Sequence, residues 1–215
     1  MAFSSVIGAS SVIKPGVVTT ATRPSSPFVG QLIYDTTLSQ TLAWNGSAWI
    51  AQSGGLVLVK AETAFTASNL IIADDVFTSA YRNYTVKFTA VASAGVGWQF
   101  KLRVGGVAAS TNYNYQGLSL NGATVTGYRS SSQTVAEISS IAIQESALTF
   151  NLYNPAVAVA TNFDAITAYN SVAFTSPVTY FYTGNHSTAT AYDGIQFTPS
   201  SGTLTGTYTI YGWGK

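Results

Sequence analysis

The sequence predicts an all-β protein built around an antiparallel sandwich. Apolar and polar residues alternate with a period of two in several runs, and turn dipeptides containing glycine separate these runs. No run has the 3.6-residue period of an amphipathic helix. Many short strands separated by turns are typical of sandwiches and jelly rolls. We therefore predict an antiparallel β-sandwich or jelly-roll domain, preceded by an extended N-terminal arm and a small β-meander.

Residues 1–22 are predicted to be the extended arm. The segment is rich in Ala, Ser, Val and Thr, has no heptad pattern, and contains the helix breaker Pro15-Gly16. It is too short to bury its own apolar side chains, so the arm either stays disordered or docks on a partner, and docking is the expectation. The anchoring side chains would be Phe3, Val6, Ile7, Val12 and Ile13.

Residues 23–52 are predicted to form a small β-hairpin module. Residues 31–35 and 41–44 contain the β-branched and aromatic residues that favour strands. Asn45-Gly46 follows the second of these runs, and this dipeptide suits the tight turn of a hairpin. Trp44 and Trp49 flank the turn, so we expect their rings to pack together.

Residues 56–215 are predicted to form the sandwich domain. The apolar members of the alternating runs should face its core: Tyr84, Val86, Phe88, Trp98, Phe100, Leu102, Leu148, Phe150, Leu152, Leu204, Tyr208 and Ile210. Lys101 and Arg103 alternate with them and should face outward. Gly105-Gly106, Asn121-Gly122 and Gly184-Asn185 are predicted turns. Because unpaired strand edges associate readily, we expect a homotrimer that covers them.

The composition restricts the partners that the chain can have. Only 8% of the residues are charged and the net charge is +1, so we expect no nucleic-acid partner. A surface poor in charge on a chain that is 47% hydrophobic favours burial in an oligomer or a larger assembly. The chain has no cysteine, which excludes disulfides and thiolate metal sites. No secretory signal and no bilayer-length apolar run is evident, so membrane insertion is not expected.

Side chains suited to catalysis are few, and we predict no catalytic, cofactor or metal site. His186 is the only histidine, and the polar run around it predicts an exposed loop. A pair of carboxylates such as Asp164 and Asp193 could flank a glycosidic bond, but nothing in their spacing requires it. The adjacent Asp74 and Asp75 are more typical of a turn than of a catalytic pair.

Tyrosines next to amide side chains are the candidate ligand contacts. Tyr113 and Tyr115 alternate with Asn112 and Asn114, and Tyr180 and Tyr182 lie in a second aromatic run. Flat rings beside amides and hydroxyls suit a glycan-binding surface. The alternative is that these four tyrosines fill the core of the sandwich and its rim, and the sequence favours that alternative.

Three segments resemble proteins of one family. TRPSSPFVGQLIYDTTLSQTLAWNGSAWI, residues 22–50, resembles a short module of the virion appendage proteins of tailed bacteriophages. FTPSSGTLTGTYTIYGWGK, residues 197–215, resembles the closing strand of many of their domains, and DDVFTSAYRNYTVKFTAV, residues 74–91, is also similar. In that family the module commonly lies between an attachment arm and a larger β-rich domain, within a trimeric fibre or spike.

The resemblance implies a non-enzymatic phage structural protein, a fibre or appendage subunit. It would be made in the host bacterial cytoplasm and assembled on the virion, contacting other virion proteins through its N-terminal arm. The distal face of the sandwich would contact a host-surface polysaccharide. Two alternatives remain open: a capsid decoration or head-fibre protein, and a tailspike-type enzyme that degrades polysaccharide. The second alternative conflicts with the small number of acids.

Overall fold

The computed structural model describes residues 15–51, 55–141, 143–170 and 177–214. The protein is all-β, as predicted, and divides into two compact units, residues 1–54 and 55–215. The predicted anchoring residues Phe3, Val6, Ile7, Val12 and Ile13 lie outside the described residues. Among the described residues no helix has the length and hydropathy that crossing a bilayer requires.

The N-terminal unit is a four-stranded sheet in the order β1 (Gly16–Val18), β2 (Leu32–Asp35), β3 (Gln40–Trp44) and β4 (Trp49–Ala51). β1 runs parallel to β2 and the other pairs are antiparallel. Residues 16–18, which the sequence assigns to the arm, therefore belong to the sheet. Ile33 and Leu42 are buried and lie opposite each other on β2 and β3.

The turn between β3 and β4 forms as the sequence predicts, because Asn45 stabilises it. The Asn45 side-chain oxygen accepts hydrogen bonds from the backbone N–H groups of Ser47 and Ala48, at 2.9 and 2.8 Å. The rings of Trp44 and Trp49 pack with their centroids 5.5 Å apart, which confirms the predicted contact.

Asp35, at the end of β2, binds Thr20 and Arg23 of the segment between β1 and β2. Its carboxylate is buried and accepts hydrogen bonds from the Arg23 Nε at 2.7 Å, the Thr20 hydroxyl at 2.9 Å, and the N–H groups of Thr37 and Leu38. Burial raises the pKa of Asp35, but these hydrogen bonds outweigh burial and hold the pKa below its usual value. The carboxylate therefore stays charged at neutral pH and holds Arg23 and Thr20 against β2.

The C-terminal unit contains two sheets. The larger sheet has eight antiparallel strands, in the order β11 (Thr124–Gln133), β10 (Tyr113–Asn121), β15 (Pro177–His186), β14 (Thr161–Asn170), β13 (Ser146–Tyr153), β7 (Asn83–Ala92), β17 (Leu204–Trp213) and β5 (Leu56–Ser68). The smaller sheet has the order β12 (Ala136–Ile141), β8 (Val96–Val104), β16 (Gly194–Pro199) and β6 (Ile71–Ala73), and β9 (Val107–Ala108) pairs with β8.

The two sheets pack face to face around an aromatic core, so the unit is a β-sandwich. Phe88 of the larger sheet contacts Trp98 of the smaller, with ring centroids 4.4 Å apart. Phe100 of the smaller sheet contacts Phe150 and Phe163 of the larger, at 4.8 and 4.9 Å. All twelve side chains predicted to face the core are buried. Each contributes roughly 1.5–3 kcal/mol through the apolar surface it removes from water.

Two of the three predicted turns are confirmed and one is wrong. Gly105-Gly106 forms the turn after β8, Asn121 ends β10 and Gly122 begins the turn to β11, and Gly105, Gly106 and Gly122 have positive φ angles. Gly184-Asn185 lies inside β15 instead. A Cβ on Gly184 would lie 2.2 Å from the carbonyl oxygen of Asn114 on β10. Glycine is required at this position for close packing rather than for a turn.

Arg103 faces outward from the smaller sheet, as predicted, but it is nearly buried. Its guanidinium binds the Asp74 carboxylate through two hydrogen bonds of 2.6 and 3.1 Å, and also the side-chain oxygen of Gln196. Asp74 and Asp75 follow β6, outside any strand, and Asp75 has a positive φ. Asp74 and Asp75 therefore follow the end of β6, and the Asp74 carboxylate also balances the charge of the nearly buried Arg103.

The first and last described residues of the C-terminal unit are neighbours. β5 and β17 pair with each other, and beyond this pair the Gly214 N–H donates to the Gly55 carbonyl at 2.7 Å. β17, formed by residues that resemble a closing strand, lies between β7 and β5 rather than at an edge.

Candidate functional site

The outer face of the larger sheet, which points away from the smaller sheet, carries a polar groove and an apolar surface. Four strands at one end of the sheet, β11, β10, β15 and β14, are in register. Their outward-facing residues therefore form rows across the strands. One row contains Arg129, Gln116, Thr183 and Asp164.

A polar groove runs along this face, and we refer to it as the amide groove. Its volume is about 500 Å³. The side chains that line it from the outer face are Asn114, Gln116, Arg129, Ser131, Thr183 and Asn185. They come from three adjacent strands, and no acidic residue is among the lining residues. The groove is therefore a polar surface with a single positive charge.

Hydrogen bonds fix part of the amide groove. The Asn114 amide nitrogen donates to the side-chain oxygen of Asn185 at 2.9 Å, and the Ser132 N–H donates to the side-chain oxygen of Asn114 at 3.0 Å. The Ser132 bond is made where the pairing of β10 with β11 changes register, and Ser132 has a positive φ. Within the described part of the chain, the side chains of Gln116 and Arg129 have no hydrogen-bond or salt-bridge partner.

Asp164 lies in the same row as Arg129 but is engaged elsewhere. Its carboxylate accepts hydrogen bonds from the Tyr153 hydroxyl at 2.5 Å and the Asn151 amide at 2.9 Å. The bond to Asp164, with burial and the carboxylate charge, raises the pKa of Tyr153 to about 12. Asp193 accepts a hydrogen bond from the Gly105 N–H at the smaller sheet. The structure does not place Asp164 and Asp193 on one face, as a glycosidase pair would require.

An apolar surface lies next to the amide groove on the outer face, and we refer to it as the apolar patch. It consists of Leu118, Leu120, Val125, Ile166 and Phe181. Register makes the patch continuous, because Leu118 lies opposite Phe181, Phe181 opposite Ile166, and Leu120 opposite Val125. Val125 is 64% exposed and Phe181 42%. A groove of about 620 Å³ adjoins Leu118, Ile166 and Phe181, and it is also lined by Gln116, Arg129, Asp164 and Thr183.

The four tyrosines predicted as glycan contacts lie on the inner face of the larger sheet. Tyr113 and Tyr182 are buried, and Tyr115 and Tyr180 are partly buried against the core. The Tyr113 hydroxyl accepts a hydrogen bond from the Leu102 N–H at 2.8 Å. Buried rings have no free face for a sugar, so Tyr113 and Tyr182 are core residues rather than glycan contacts, which is the alternative that the sequence favours.

Four tyrosines form a stacked row on that inner face. The rings of Tyr128 and Tyr182, Tyr182 and Tyr180, and Tyr180 and Tyr169 are nearly parallel, with centroids 6.2–6.4 Å apart. Burial raises the pKa of Tyr182, and the charge of Glu137 on β12 raises it further. Gly117 leaves room for the row, because a Cβ there would lie 2.8 Å from the Tyr182 ring. The row packs the end of the sandwich beside β12.

His186 is buried rather than exposed in a loop, so that prediction is wrong. It ends β15, is 2% exposed, and its Nδ1 lies 3.0 Å from the Tyr192 hydroxyl. Its ring also packs on Tyr113, with centroids 4.5 Å apart. These contacts of the His186 ring are with tyrosines, and neither is the serine contact of a catalytic triad. The geometry gives His186 a structural role.

The amide groove could have been predicted from the polar residues that alternate with the tyrosines, because those residues share the opposite face of each strand. In residues 113–116 and 182–185 the tyrosines mark one face, and Asn114, Gln116, Thr183 and Asn185 mark the opposite one. Arg129 carries no such signal, because β11 is exposed over nearly its whole length. Among the described residues, no three His, Asp or Glu side chains form a group that could hold a metal ion.

Comparison with protein-family models, with curated proteins and with solved structures found no match.

Proposed function

We propose that the chain is a non-enzymatic structural subunit of a phage virion, a fibre or appendage protein that is anchored by its N-terminal part and projects the β-sandwich. The observation that carries the proposal is the apolar patch. A continuous apolar surface over four strands is typical of a protein that works within an assembly. The resemblance of residues 22–50 to appendage modules suggests that this assembly is a phage virion.

The occupant of the apolar patch is another copy of the same chain. The five patch residues are uncharged, and the charged residues that line the adjoining groove, Arg129 and Asp164, have opposite signs. A chain with a net charge of +1 and 8% charged residues also has little long-range repulsion between copies. A homotrimer fits the resemblance and would cover the apolar patch.

The N-terminal unit carries a second exposed apolar surface that suits attachment to other virion proteins. Phe28 and Val29 are 70% and 72% exposed, next to Gly30 with its positive φ. Side chains of this size at a turn are typical of contacts made on assembly. Together with the predicted arm, this turn is the proposed anchor.

Immunogold electron microscopy of the parent phage tests the proposal, using antibody raised against residues 56–215. Label on the tail supports a fibre or appendage and makes contact with a host-surface polysaccharide the next question. Label over the capsid selects the alternative of a decoration or head-fibre protein. Particles that contain the chain by mass spectrometry serve as the positive control. An absence of the chain from purified particles rejects the proposal.

A polysaccharide-degrading function receives no support from the geometry. Asp164 and Asp193 are held in separate hydrogen-bond networks, one at each sheet. Release of reducing ends from host capsule by the purified protein, lost in Asp164→Asn or Asp193→Asn, would nevertheless establish it.

A further inference from the structure

We propose that the amide groove binds a saccharide that carries carboxylate groups. This inference rests on the proposed function only for the source of the ligand, a host-surface polysaccharide. The recognition itself belongs to the side chains of β10, β11 and β15 and can be measured on the purified chain.

The hydrogen-bonding groups that remain free in the groove are mostly donors. The side-chain oxygens of Asn114 and Asn185 already accept hydrogen bonds, from Ser132 and from Asn114. The Asn185 amide nitrogen, the Gln116 amide and the Arg129 guanidinium have no partner in the described structure and face the groove. A carboxylate only accepts hydrogen bonds, and it matches the fork of a guanidinium. The excess of donors therefore favours an acidic ligand.

The size and polarity of the groove favour a saccharide over a small anion. Its volume of about 500 Å³ is far larger than one carboxylate and falls within the usual range of ligand sites. Side-chain amides and the Ser131 hydroxyl can bind sugar hydroxyls on either side of the charge. A free anion would use Arg129 alone and leave the amides without a partner.

The charges around the groove are consistent with this ligand class. Asp164 lies three strands from Arg129 in the same row, at about 14 Å from the usual spacing of strands. Its oxygens accept hydrogen bonds from Asn151 and Tyr153, so Asp164 forms no ion pair with Arg129. One arginine is too little charge for a nucleic-acid backbone, which is bound through several cations.

Isothermal titration calorimetry at low ionic strength tests the inference, with oligogalacturonate as the probe. The matched control is the same oligomer with every carboxylate methyl-esterified, which keeps the sugar ring and removes the charge. We expect the acidic oligomer to bind with a Kd of roughly 10 μM to 1 mM, as for a small exposed groove. The esterified oligomer should bind at least about tenfold more weakly.

Two arginine variants locate the charge that is recognised. Arg129→Gln should weaken the acidic oligomer by at least about tenfold and leave the esterified oligomer unchanged. Arg82→Gln changes the same charge outside the groove, where Arg82 donates to the Asn154 side chain, and should leave both affinities unchanged. Arg129 is exposed, and thermal unfolding should confirm that its variant folds.

Several results would overturn the inference. These are equal binding of the acidic and esterified oligomers, equal losses in the two arginine variants, full displacement by acetate at the same carboxylate concentration, and no binding at millimolar oligomer. Each is obtained without phage particles. A chain absent from particles would reject the virion assignment and leave the groove, whereas negative calorimetry would reject the groove and leave the virion assignment.

Discussion

At the residue scale, His186 shows how one buried side chain makes the stability of the sandwich depend on pH. Burial lowers the pKa of His186 below its usual value, and the nearby backbone of Thr111 and Thr188 offsets only part of this effect. The folded protein therefore binds a proton on His186 less readily than the unfolded chain does. As the pH falls below about 6.5, His186 is protonated more readily in the unfolded chain, and the free energy of unfolding decreases.

We expect the urea midpoint of the wild-type protein to be lower at pH 5.5 than at pH 7.5. His186→Gln should reduce this difference, since His186 is the only histidine. Glu137, whose pKa burial raises, titrates in both proteins, so comparing the two removes its contribution. An unchanged difference in the variant would mean that His186 is not the group responsible.

At the scale of elements, the pairing of β15 with β10 depends on Gly184. We expect Gly184→Ala to destabilise the protein by about 1–3 kcal/mol or more, because the new Cβ would meet the Asn114 carbonyl and the Phe163 ring. Gly127→Ala on β11, the other neighbour of β10, is the matched control, since its Cβ would make only an ordinary 3.8 Å contact with Leu118. Urea unfolding measures both, and equal effects would contradict the close-packing explanation.

The sequence predicts the inward faces of strands well, because alternation is the direct trace of burial on one side of a sheet. For Tyr84, Val86 and Phe88, the alternation alone predicts the buried face of the strand. Alternation does not show which strands are neighbours, so the place of β17 between β7 and β5 could not be predicted. Glycine is ambiguous, since turns and close strand contacts both require it, and for this reason the sequence predicts a turn at Gly184.

The candidate site was harder to predict than the fold. Tyrosine is suited both to a core and to a ligand surface, and only the packing of β8 against β10 decides this for Tyr113. His186 lies in a polar run, yet it is buried with its Nδ1 against the Tyr192 hydroxyl and its ring on Tyr113, while its Nε2 has no hydrogen-bond partner among the described residues. Both assignments depended on long-range contacts that local patterns do not contain.

At the scale of the whole molecule, the apolar patch is expected to hold copies of the chain together. Light scattering after size exclusion should give three times the 22.5 kDa chain mass for the wild type. The double variant Leu118→Ser, Phe181→Ser should weaken association by at least about 100-fold and shift the protein toward the chain mass, because each apolar contact is worth roughly 1.5–3 kcal/mol.

The control for that experiment is Val104→Ser with Val107→Ser. Both valines are exposed, and they lie beside the turn between β8 and β9 of the smaller sheet, away from the patch. This pair should leave the mass unchanged. A monomeric wild type, or equal effects of the two double variants, would contradict association through the patch.

Deletion of residues 1–14 tests the predicted arm without damage to the N-terminal sheet. It retains β1 and the bonds from Thr20 and Arg23 to Asp35. We expect a folded oligomer that is no longer taken up into particles, measured by light scattering and by mass spectrometry of purified phage. Deletion of residues 1–22 is the comparison, and it should also destabilise the N-terminal unit. Loss of association on removing residues 1–14 would place the arm in the contact between copies.

The hydrogen bond between Gly55 and Gly214 has a consequence for how this sandwich can be exchanged among proteins. The unit begins and ends at one point, so a surface loop of an unrelated carrier could accept residues 55–214 as an insertion with little distortion of either fold. Recombination would have to preserve only the two junctions, which lie side by side at Gly55 and Gly214. The sandwich can therefore be transplanted as a cassette, and its outer face can diversify independently of the carrier.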